Sequence, residues 1–539
     1  MTDLLSDLGE FPTSSGAPFA ITCRPGSAGF LTAVRDGPET PIAAVSRLAK
    51  LDQNLSGKSP AEIRRALDRA WALALGLRSD EAVEVAARLE PWLNDLEEPA
   101  AAEARRDLQL ARALALAAAD QTEPCLALAG AVLRGAPAEP RAHLAATLCR
   151  LAYWRRGDLD GFYAVTPTPP STGVGKRQIR CRAFDQAMTA AIEAEQLRLS
   201  GARLLAQGAL DLVAPQSGAA GLFPAAVLAG LLHEQGDADG AWNLLERRLG
   251  ALRTIGAVES AVRAYPLMGR IAARRGEAQF AAALLREGEA LGEQRRWPRL
   301  TSACLFERFE LFLAEQRWDE AQDAVEGLVR LSLSRRGRDD VDWPLTRAAD
   351  LARARLDLHR APNRSAVAVV RQLHHAALGR RDLHLGLQLA VRLVDGLIAI
   401  GEDDEALNLM FRLLHIGASV GLCQTILDGG PRVEALLQRV LALAAFDPAL
   451  RPMAAYVSHL VSRWPMAPAA RVSRTRGPLS CRECAVLRLI SRGHSNKKIA
   501  LALGIAVDTV KTHAKNIFAK LDAANRAEAV ARAERLGLI

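Results

Sequence analysis

One short phrase recurs along the middle of this chain at nearly constant spacing, and it restricts the architecture that the chain can adopt. Each copy has an apolar helical segment, a turn residue and a second helical segment with alanine five residues after the turn. The turn residues are Gly236, Gly276, Gln316, Ala361 and Gly401, and the alanines are Ala241, Ala281, Ala321, Ala366 and Ala406. The intervals between the turns are 40, 40, 45 and 40 residues, and Gly157 lies 79 residues before Gly236. Because a small residue at a fixed place lets helices approach closely, the pattern predicts stacked helix pairs.

The composition favours an all-α fold. Half of the 539 residues are hydrophobic and only 5% are aromatic, and the abundant alanine and leucine are strong helix formers. Residues 57–463 are predicted to be a succession of helices with short breaks, which resembles a tetratricopeptide-like α-solenoid with long units. An unrelated helical bundle is the alternative. A solenoid implies a concave face that binds a small-molecule or protein effector.

A second pattern, at 495–521, predicts two helices joined by a tight turn. Apolar residues share one face of the first helix at Ile499, Ala500 and Leu503, and one face of the second at Val510, Ala514, Ile517 and Leu521. Gly504 stands between the helices, where a turn needs a residue free to adopt positive φ. Two short helices joined in this way form a helix-turn-helix, whose second helix fits the DNA major groove.

The flanking residues extend this unit to four helices. Ser480–Glu483 and Asn525–Glu528 are capping boxes, and the sequence from LSCRECAVLRLISRG to the C-terminus closely resembles the LuxR-type DNA-binding domain. It departs from that family at Cys481, which is usually proline, and at Ala506, which is often a capping serine. Residues 479–539 are therefore predicted to be a four-helix LuxR-type helix-turn-helix domain.

The predicted DNA contacts follow from the faces of these helices. Lys511, Thr512 and Lys515 are predicted to read base edges, since lysine reaches guanine acceptors and the threonine methyl can contact the thymine methyl. Phosphate or supporting contacts are predicted for Ser495, Asn496, Lys497, Lys498, Thr509, His513, Asn516 and Lys520. For His513, phosphate contact and packing beneath the helix both remain open. The resemblance further implies a homodimer on double-stranded promoter DNA, formed through the last helix at about 526–535, with RNA polymerase as a further partner.

Positive charge is concentrated next to this domain. The chain carries a net charge of +8, residues 479–539 alone carry +6, and Arg471, Arg474 and Arg476 raise the C-terminal total to +9. Such a local patch is typical of proteins that bind the phosphate backbone. Residues 464–478 contain three prolines and are predicted to be a linker.

The region before the linker supports a narrower resemblance. Residues 417–431, GASVGLCQTILDGGP, are similar to the end of the superhelical domain of MalT-type regulators, in which a solenoid precedes a LuxR-type domain. Those regulators begin with a P-loop ATPase domain, and this chain is expected to lack one. Residues 1–56 are predicted to form an irregular N-terminal extension.

Four short patterns suggest other chemistry, but each has a structural explanation. Residues 171–177 resemble a phosphate loop but lack its first glycine and its hydroxyl, and residues 417–421 match a nucleophile elbow within helical surroundings. Cys481 and Cys484 form one C-x-x-C with no second pair for zinc. The histidine pair His374–His375 and His384 form no H-E-x-x-H motif. We therefore predict no enzyme activity, no cofactor and no metal site.

The chain is predicted to be cytoplasmic. It shows no export signal and no apolar run long enough to cross a membrane, and its eight cysteines are dispersed, as in proteins with reduced thiols. The predicted function is a sequence-specific transcriptional regulator. The alternatives are an adaptor solenoid that a basic domain anchors to DNA, and an enzyme such as an ATPase.

Overall fold

The structure is a computed structural model, which describes residues 60–75, 79–95, 98, 100–135, 141–166, 176–213, 220–255, 257–334, 342–444, 451–464, 486–487, 489–491, 493–503, 507–521, 523 and 525–535. Every regular element among these residues is a helix, so the all-α prediction is confirmed. The chain divides into two compact units, residues 1–464 and 465–539. The predicted extension at 1–56 and the predicted linker beyond Trp464 lie outside the described residues.

The first unit is a series of helices that pair along the chain. They are α1 (Pro60–Leu75), α2 (Ser79–Leu89), α3 (Ala100–Ala118), α4 (Thr122–Arg134), α5 (Arg141–Arg156), α6 (Leu159–Ala164), α7 (Lys176–Glu195), α8 (Leu199–Leu212), α9 (Leu222–Glu234), α10 (Ala238–Glu246), α11 (Leu249–Ile255), α12 (Val258–Arg274), α13 (Ala278–Arg295), α14 (Pro298–Ala314), α15 (Trp318–Leu333), α16 (Asp342–Arg360), α17 (Arg364–Gly379), α18 (Leu383–Ala399), α19 (Asp403–Val420), α20 (Gln424–Leu427), α21 (Pro431–Ala444) and α22 (Arg451–Arg463). A 3₁₀ turn, Glu90–Asp95, follows α2. The first helices of successive pairs pack in one row: α1, α3, α5, α7, α9, α12, α14, α16, α18 and α21. The predicted tetratricopeptide-like α-solenoid is therefore confirmed.

The turns within the pairs share one backbone geometry. Gly236, Gly276 and Gly401 have φ of 86°, 82° and 79°, and Gln316 has φ of 57°. The next N–H then donates to the carbonyl five residues back, as from Asp237 to Leu232 at 2.8 Å, which satisfies an end of the first helix. The same left-handed geometry occurs in earlier pairs at Asp120, Gly157 and Leu197. The repeat therefore extends further towards the N-terminus than its glycines indicate.

The turn at Ala361 differs from the prediction. Its φ is not positive, and the next residue is Pro362, which has no N–H to donate to an earlier carbonyl. Instead the Asn363 side chain accepts from the N–H of Ala366 at 2.9 Å and caps α17. This pair is therefore closed by an N-terminal cap on its second helix rather than by a left-handed residue.

The repeated alanines lie where the paired helices approach each other. Ala241, Ala281, Ala321 and Ala406 are fully buried, and Ala366 is nearly so. The equivalent positions of the earlier pairs are Cys125, Phe162 and Ala202, which are buried as well. Cysteine and phenylalanine at two of these positions explain why those copies are hard to recognise in the sequence.

Enlarging one of these alanines should destabilise the solenoid. We expect Ala281→Leu to lower the free energy of unfolding by about 1–3 kcal/mol, because the buried site has no room for three more carbons. Thermal and urea unfolding followed by circular dichroism would measure the change. Ala283→Leu is the matched control, since Ala283 lies on the exposed side of the same helix and should change stability by no more than about 0.5 kcal/mol. Equal effects of the two substitutions would contradict the packing role.

Helices distant in sequence also pack together, because the superhelix closes on itself. Helix α7 packs against α18, and α9 packs against α20. A set of buried charges also joins segments that are distant in sequence. This Glu259 cluster is formed by Asp120, Arg155, Glu259 and Arg299. The Arg299 guanidinium donates to Asp120 at 2.7 Å and to Glu259 at 2.8 Å, and Arg155 lies 2.7 Å from Glu259. Burial alone would raise the pKa of Glu259, but Arg299 and Arg155 outweigh it and hold that pKa well below its usual range.

A second contact of this kind joins α9, α18 and α20. The Glu234 carboxylate accepts from the backbone N–H groups of Cys423 and Thr425 at 3.2 and 3.0 Å, and from the Thr425 hydroxyl at 2.9 Å. His384 Nε2 lies 3.2 Å from the same carboxylate. Close by, Asp428 pairs with Arg274, and Arg392 donates to the Asp428 carbonyl at 2.6 Å. Polar contacts therefore hold the superhelical turns together at several points.

Candidate DNA-binding surface

The second unit has a small core of its own. Its described helices are α23 (Asn496–Leu503), α24 (Val507–Lys520) and α25 (Arg526–Arg535), and residues 486–487 and 489–491 are helical as well. The core consists of Val486, Leu487, Ile490, Ile499, Ala500, Val510, Ala514, Ile517, Leu521, Ala529 and Ala533. The apolar periodicity predicts Val510, Ala514 and Ile517 of α24 and Leu521 directly after it, and all four are buried. This packing fixes which face of α24 points outward.

Local caps define the ends of these helices. Gly493 has φ of 75°, and the following N–H of His494 donates to the Leu489 carbonyl at 3.1 Å. The Ser495 hydroxyl accepts from the backbone N–H of Lys498 at 3.4 Å and thereby caps α23. The Asn525 side chain accepts from the backbone N–H of Glu528 at 3.0 Å, which begins α25.

The outward face of α24 carries the predicted base-reading residues. Lys511, Thr512 and Lys515 are exposed, and Asn516 is exposed beside them. Their spacing places them on adjoining turns of one helix face. His513 is half-buried, so its side chain lies at the margin of this face. Thr509 belongs to α24 and Lys520 ends it, but their side chains lie outside the described ones.

The N-terminus of α23 carries the predicted phosphate contacts. Ser495, Lys497 and Lys498 are exposed there, and Asn496 is half-buried. A helix N-terminus has unpaired N–H groups and a partial positive charge, so two lysines at this end suit an anionic backbone. Four of the eight predicted phosphate or supporting residues therefore lie together at this turn, and the other four share the next helix with the base-reading candidates.

One contact at this surface has no signal in the sequence. The Arg526 guanidinium, in the first turn of α25, donates to the His494 carbonyl and to the Asn496 side-chain oxygen, the latter at 3.4 Å. The contact crosses some thirty residues of chain, and neither helical periodicity nor a known cap pairs these positions.

The other suggested sites take ordinary structural roles or lie outside the described residues. Ser419, the centre of the elbow-like pattern, lies inside α19 and donates to the Ile416 carbonyl at 2.7 Å, and Gly421 ends that helix with φ of 76°. His374 contacts the Gly386 carbonyl at 2.8 Å. The residues outside are 171–175 of the phosphate-loop-like stretch, the capping box at 480–483 with Cys481 and Cys484, and the turn at 504–506.

The sequence also predicts reduced cysteines and no segment that crosses a membrane. The described cysteines are buried and form no disulfide with one another: Cys125, Cys149, Cys181, Cys304 and Cys423. Burial raises the pKa of the Cys125 thiol to about 12, which keeps it protonated. In the part of the chain that the structure describes, no helix is long and apolar enough to span a bilayer.

Two parts of the chain match known families. Residues 477–533 match bacterial regulatory proteins of the luxR family, and residues 181–443 match the MalT-like TPR region. The HTH-type transcriptional regulator MalT of Vibrio cholerae is 31% identical over 166 residues, which cover 27% of this chain and 18% of that protein. MalT of Yersinia pestis is 51% identical over 59 residues, which cover 11% of this chain and 6% of that protein. The matched part of this chain thus spans less than a fifth of the length of either relative.

Among solved structures, a Rap protein complexed with competence and sporulation factor aligns with a TM-score of 0.49 and 13% identity. The alignment covers 67% of this chain and 98% of the Rap protein.

Proposed function

We propose that this chain, a LuxR-type regulator with a MalT-like tetratricopeptide solenoid, reads a specific promoter sequence with α24 and senses an effector with its solenoid. The observation that carries the proposal is the outward face of α24. Lys511, Thr512 and Lys515 are exposed there, while the opposite face of the helix is fixed in the core. A rigid helix with lysines on one face can insert into the major groove and donate to guanine O6 and N7.

Phosphate contacts would fix the register of α24 on the duplex. We assign them to the N-terminus of α23, with Ser495, Lys497 and Lys498, and to Lys520 and the arginines at 471–476. Such contacts form equally with any DNA sequence, so they supply affinity and orientation rather than sequence specificity. A homodimer formed through α25 would place two copies of α24 on inverted half-sites, and RNA polymerase would be the partner at the promoter.

The second candidate function is an adaptor in which the basic domain only anchors the solenoid to DNA. Sequence specificity in DNA binding distinguishes the regulator from the adaptor. Full-length protein should select one motif from a random duplex library, and its complex with that motif should survive an excess of unrelated competitor DNA. Specific binding typically exceeds non-specific binding by about 10³–10⁷. Equal affinity for the selected and scrambled duplexes, with a steep salt dependence for both, would favour the adaptor.

Effector sensing should appear as a difference between the full chain and its C-terminal fragment. An effector that binds within 57–463 would act on DNA affinity only through its unequal affinity for two forms of the protein, typically with about 1–3 kcal/mol of coupling. We expect the fragment 471–539 to bind DNA without any signal. The full chain should bind, or activate transcription, only with the effector present. Identical DNA affinity and promoter activity of the two proteins, across a panel of metabolites and cell extracts, would rule out the solenoid as a sensor.

A further inference from the structure

We propose that Arg526 is a positioning residue for DNA binding, which holds the first turn of α23 in the orientation that contacts the phosphate backbone. The proposal rests on the DNA-binding function argued above. It assigns a role to a residue that lies on α25, outside both groups of expected contacts. Nothing in the proposal requires Arg526 itself to touch DNA.

The geometry of the guanidinium carries the proposal. One terminal nitrogen of Arg526 donates to the backbone carbonyl of His494, and the other donates to the side-chain oxygen of Asn496. These two acceptors stand on either side of Ser495, the cap of α23. The fork of one side chain therefore holds both the backbone before the helix and the first residue within it.

The segment held by Arg526 follows Gly493, which has φ of 75°. Its other described bonds outside the helical ladder run from Gly493 and His494 back to the preceding helix, from the Ile499 N–H to the Ser495 carbonyl, and from the Lys498 N–H to the Ser495 hydroxyl. The exposed side chains of Lys497 and Lys498 start from this turn. Their direction, and that of the terminal N–H groups, depends on how firmly the turn is fixed.

Arginine suits this role better than lysine. A planar fork can donate to two acceptors in a fixed geometry, whereas an ammonium is a flexible point charge. Arg526 is half-buried, and its terminal nitrogens are directed to acceptors within the protein. The position of α25 adds a consequence. If α25 forms the dimer contact, Arg526 connects that helix directly to the phosphate-binding turn.

The test compares Arg526→Lys and Arg526→Gln in the full-length protein with matched changes at Arg532. Arg532 lies on the same helix and also donates to a backbone carbonyl, that of Leu521 at 2.9 Å. Arg532→Lys keeps the positive charge and Arg532→Gln removes it, as at position 526, but both act on a hydrogen bond away from α23. DNA affinity is measured at several salt concentrations, on the selected site and on random duplex. Circular dichroism checks folding.

Both Arg526 variants should weaken binding about tenfold on the two duplexes alike. The slope of log affinity against log salt should fall in magnitude by about one, as expected for the loss of one phosphate contact. Lys498→Ala should then have less effect in the Arg526→Lys background than in the wild-type background, and its effect should be unchanged in the Arg532→Lys background. A role in stability alone would lower the melting temperature, leave the salt slope unchanged and make the effects of the Lys498 and Arg526 changes additive.

Unchanged salt slopes, or additive effects of the Lys498 and Arg526 changes, would overturn the proposal. If neither Arg526 variant folds, Asn496→Ala removes the side-chain acceptor alone and should lower the slope in the same way; an unchanged slope there would be equally decisive. Because the expected effect is also present on random duplex, the experiment tests the role of Arg526 even if the protein binds all DNA sequences equally. Equal binding to all sequences would instead count against the proposed regulator.

Discussion

Glu259→Gln is expected to lower the free energy of unfolding of the solenoid by about 3–5 kcal/mol. Glu259 is almost completely buried and balances Arg155 and Arg299, whose side chains are 3% and 12% exposed. Glutamine keeps the shape of the side chain but leaves Asp120 as the one remaining acid of the cluster, so a buried positive charge loses its partner. Removal of one partner from a buried ion pair is strongly destabilising. Urea unfolding of the full chain, followed by circular dichroism, would measure the loss.

An exposed ion pair provides the control. Glu405 pairs with Arg371 at 2.8 Å, with side chains 51% and 42% exposed. Glu405→Gln should therefore cost less than about 1 kcal/mol, because solvent screens the pair. If the two substitutions destabilised the protein equally, burial of the Glu259 cluster would not be the source of its effect.

The same cluster gives the pH dependence a definite sign. Because the pKa of Glu259 lies below its unfolded value of 4.5, its contribution to stability is fully present above pH 4.5 and is lost as the pH falls towards the folded pKa. Glu259→Gln has no such proton to bind. The difference in stability between wild type and variant should therefore shrink steadily below pH 4.5, and a constant difference across that range would contradict the assignment.

Lys511→Ala and Lys515→Ala should each weaken binding to the selected DNA site by about 1–3 kcal/mol, or roughly fivefold to a hundred and fiftyfold. Each exposed lysine would lose its bonds to base edges, and random duplex should be affected much less. Fluorescence anisotropy with the selected and scrambled duplexes measures both affinities at one salt concentration.

Lys497→Ala is the matched control for these lysines. It removes the same side chain from the N-terminus of α23, where we assign phosphate contact. The loss of DNA affinity should be similar on both duplexes, and the slope of log affinity against log salt should fall in magnitude by about one. If Lys511→Ala or Lys515→Ala gave this same uniform pattern, the lysine concerned would not read bases.

The sequence predicts the parts of the fold that depend on local periodicity. Glycine at the turn and alanine five residues later indicate the repeat from Gly236 onward. The earlier turns at Asp120 and Leu197 use residues that rarely adopt positive φ, so their type gives no signal. In the DNA-binding unit, a period of three to four residues predicts the buried face of α24 and therefore its exposed face.

Contacts between distant segments could not be predicted in this way. The pair of Arg155 and Glu259 is 104 residues apart, and that of Asp120 and Arg299 is 179 residues apart. Their proximity depends on the curvature of the whole superhelix, which small rotations between successive helix pairs determine. The bond from Arg526 to the start of α23 depends likewise on the crossing of three helices.

The closure of the superhelix on itself changes how this protein should fold. A linear solenoid contacts only its sequence neighbours, so its repeats can nucleate anywhere and fray from either end. Here Trp297 donates its indole N–H to the Ala118 carbonyl at 2.8 Å, and Arg380 donates to the Arg156 carbonyl at 2.7 Å, across 179 and 224 residues. Bonds of such long range raise the contact order, which slows folding. The central repeats should therefore open as one cooperative block. They complete their native contacts only after the segment through Asp428 has been synthesised, because Glu234 and Arg274 bind Thr425 and Asp428.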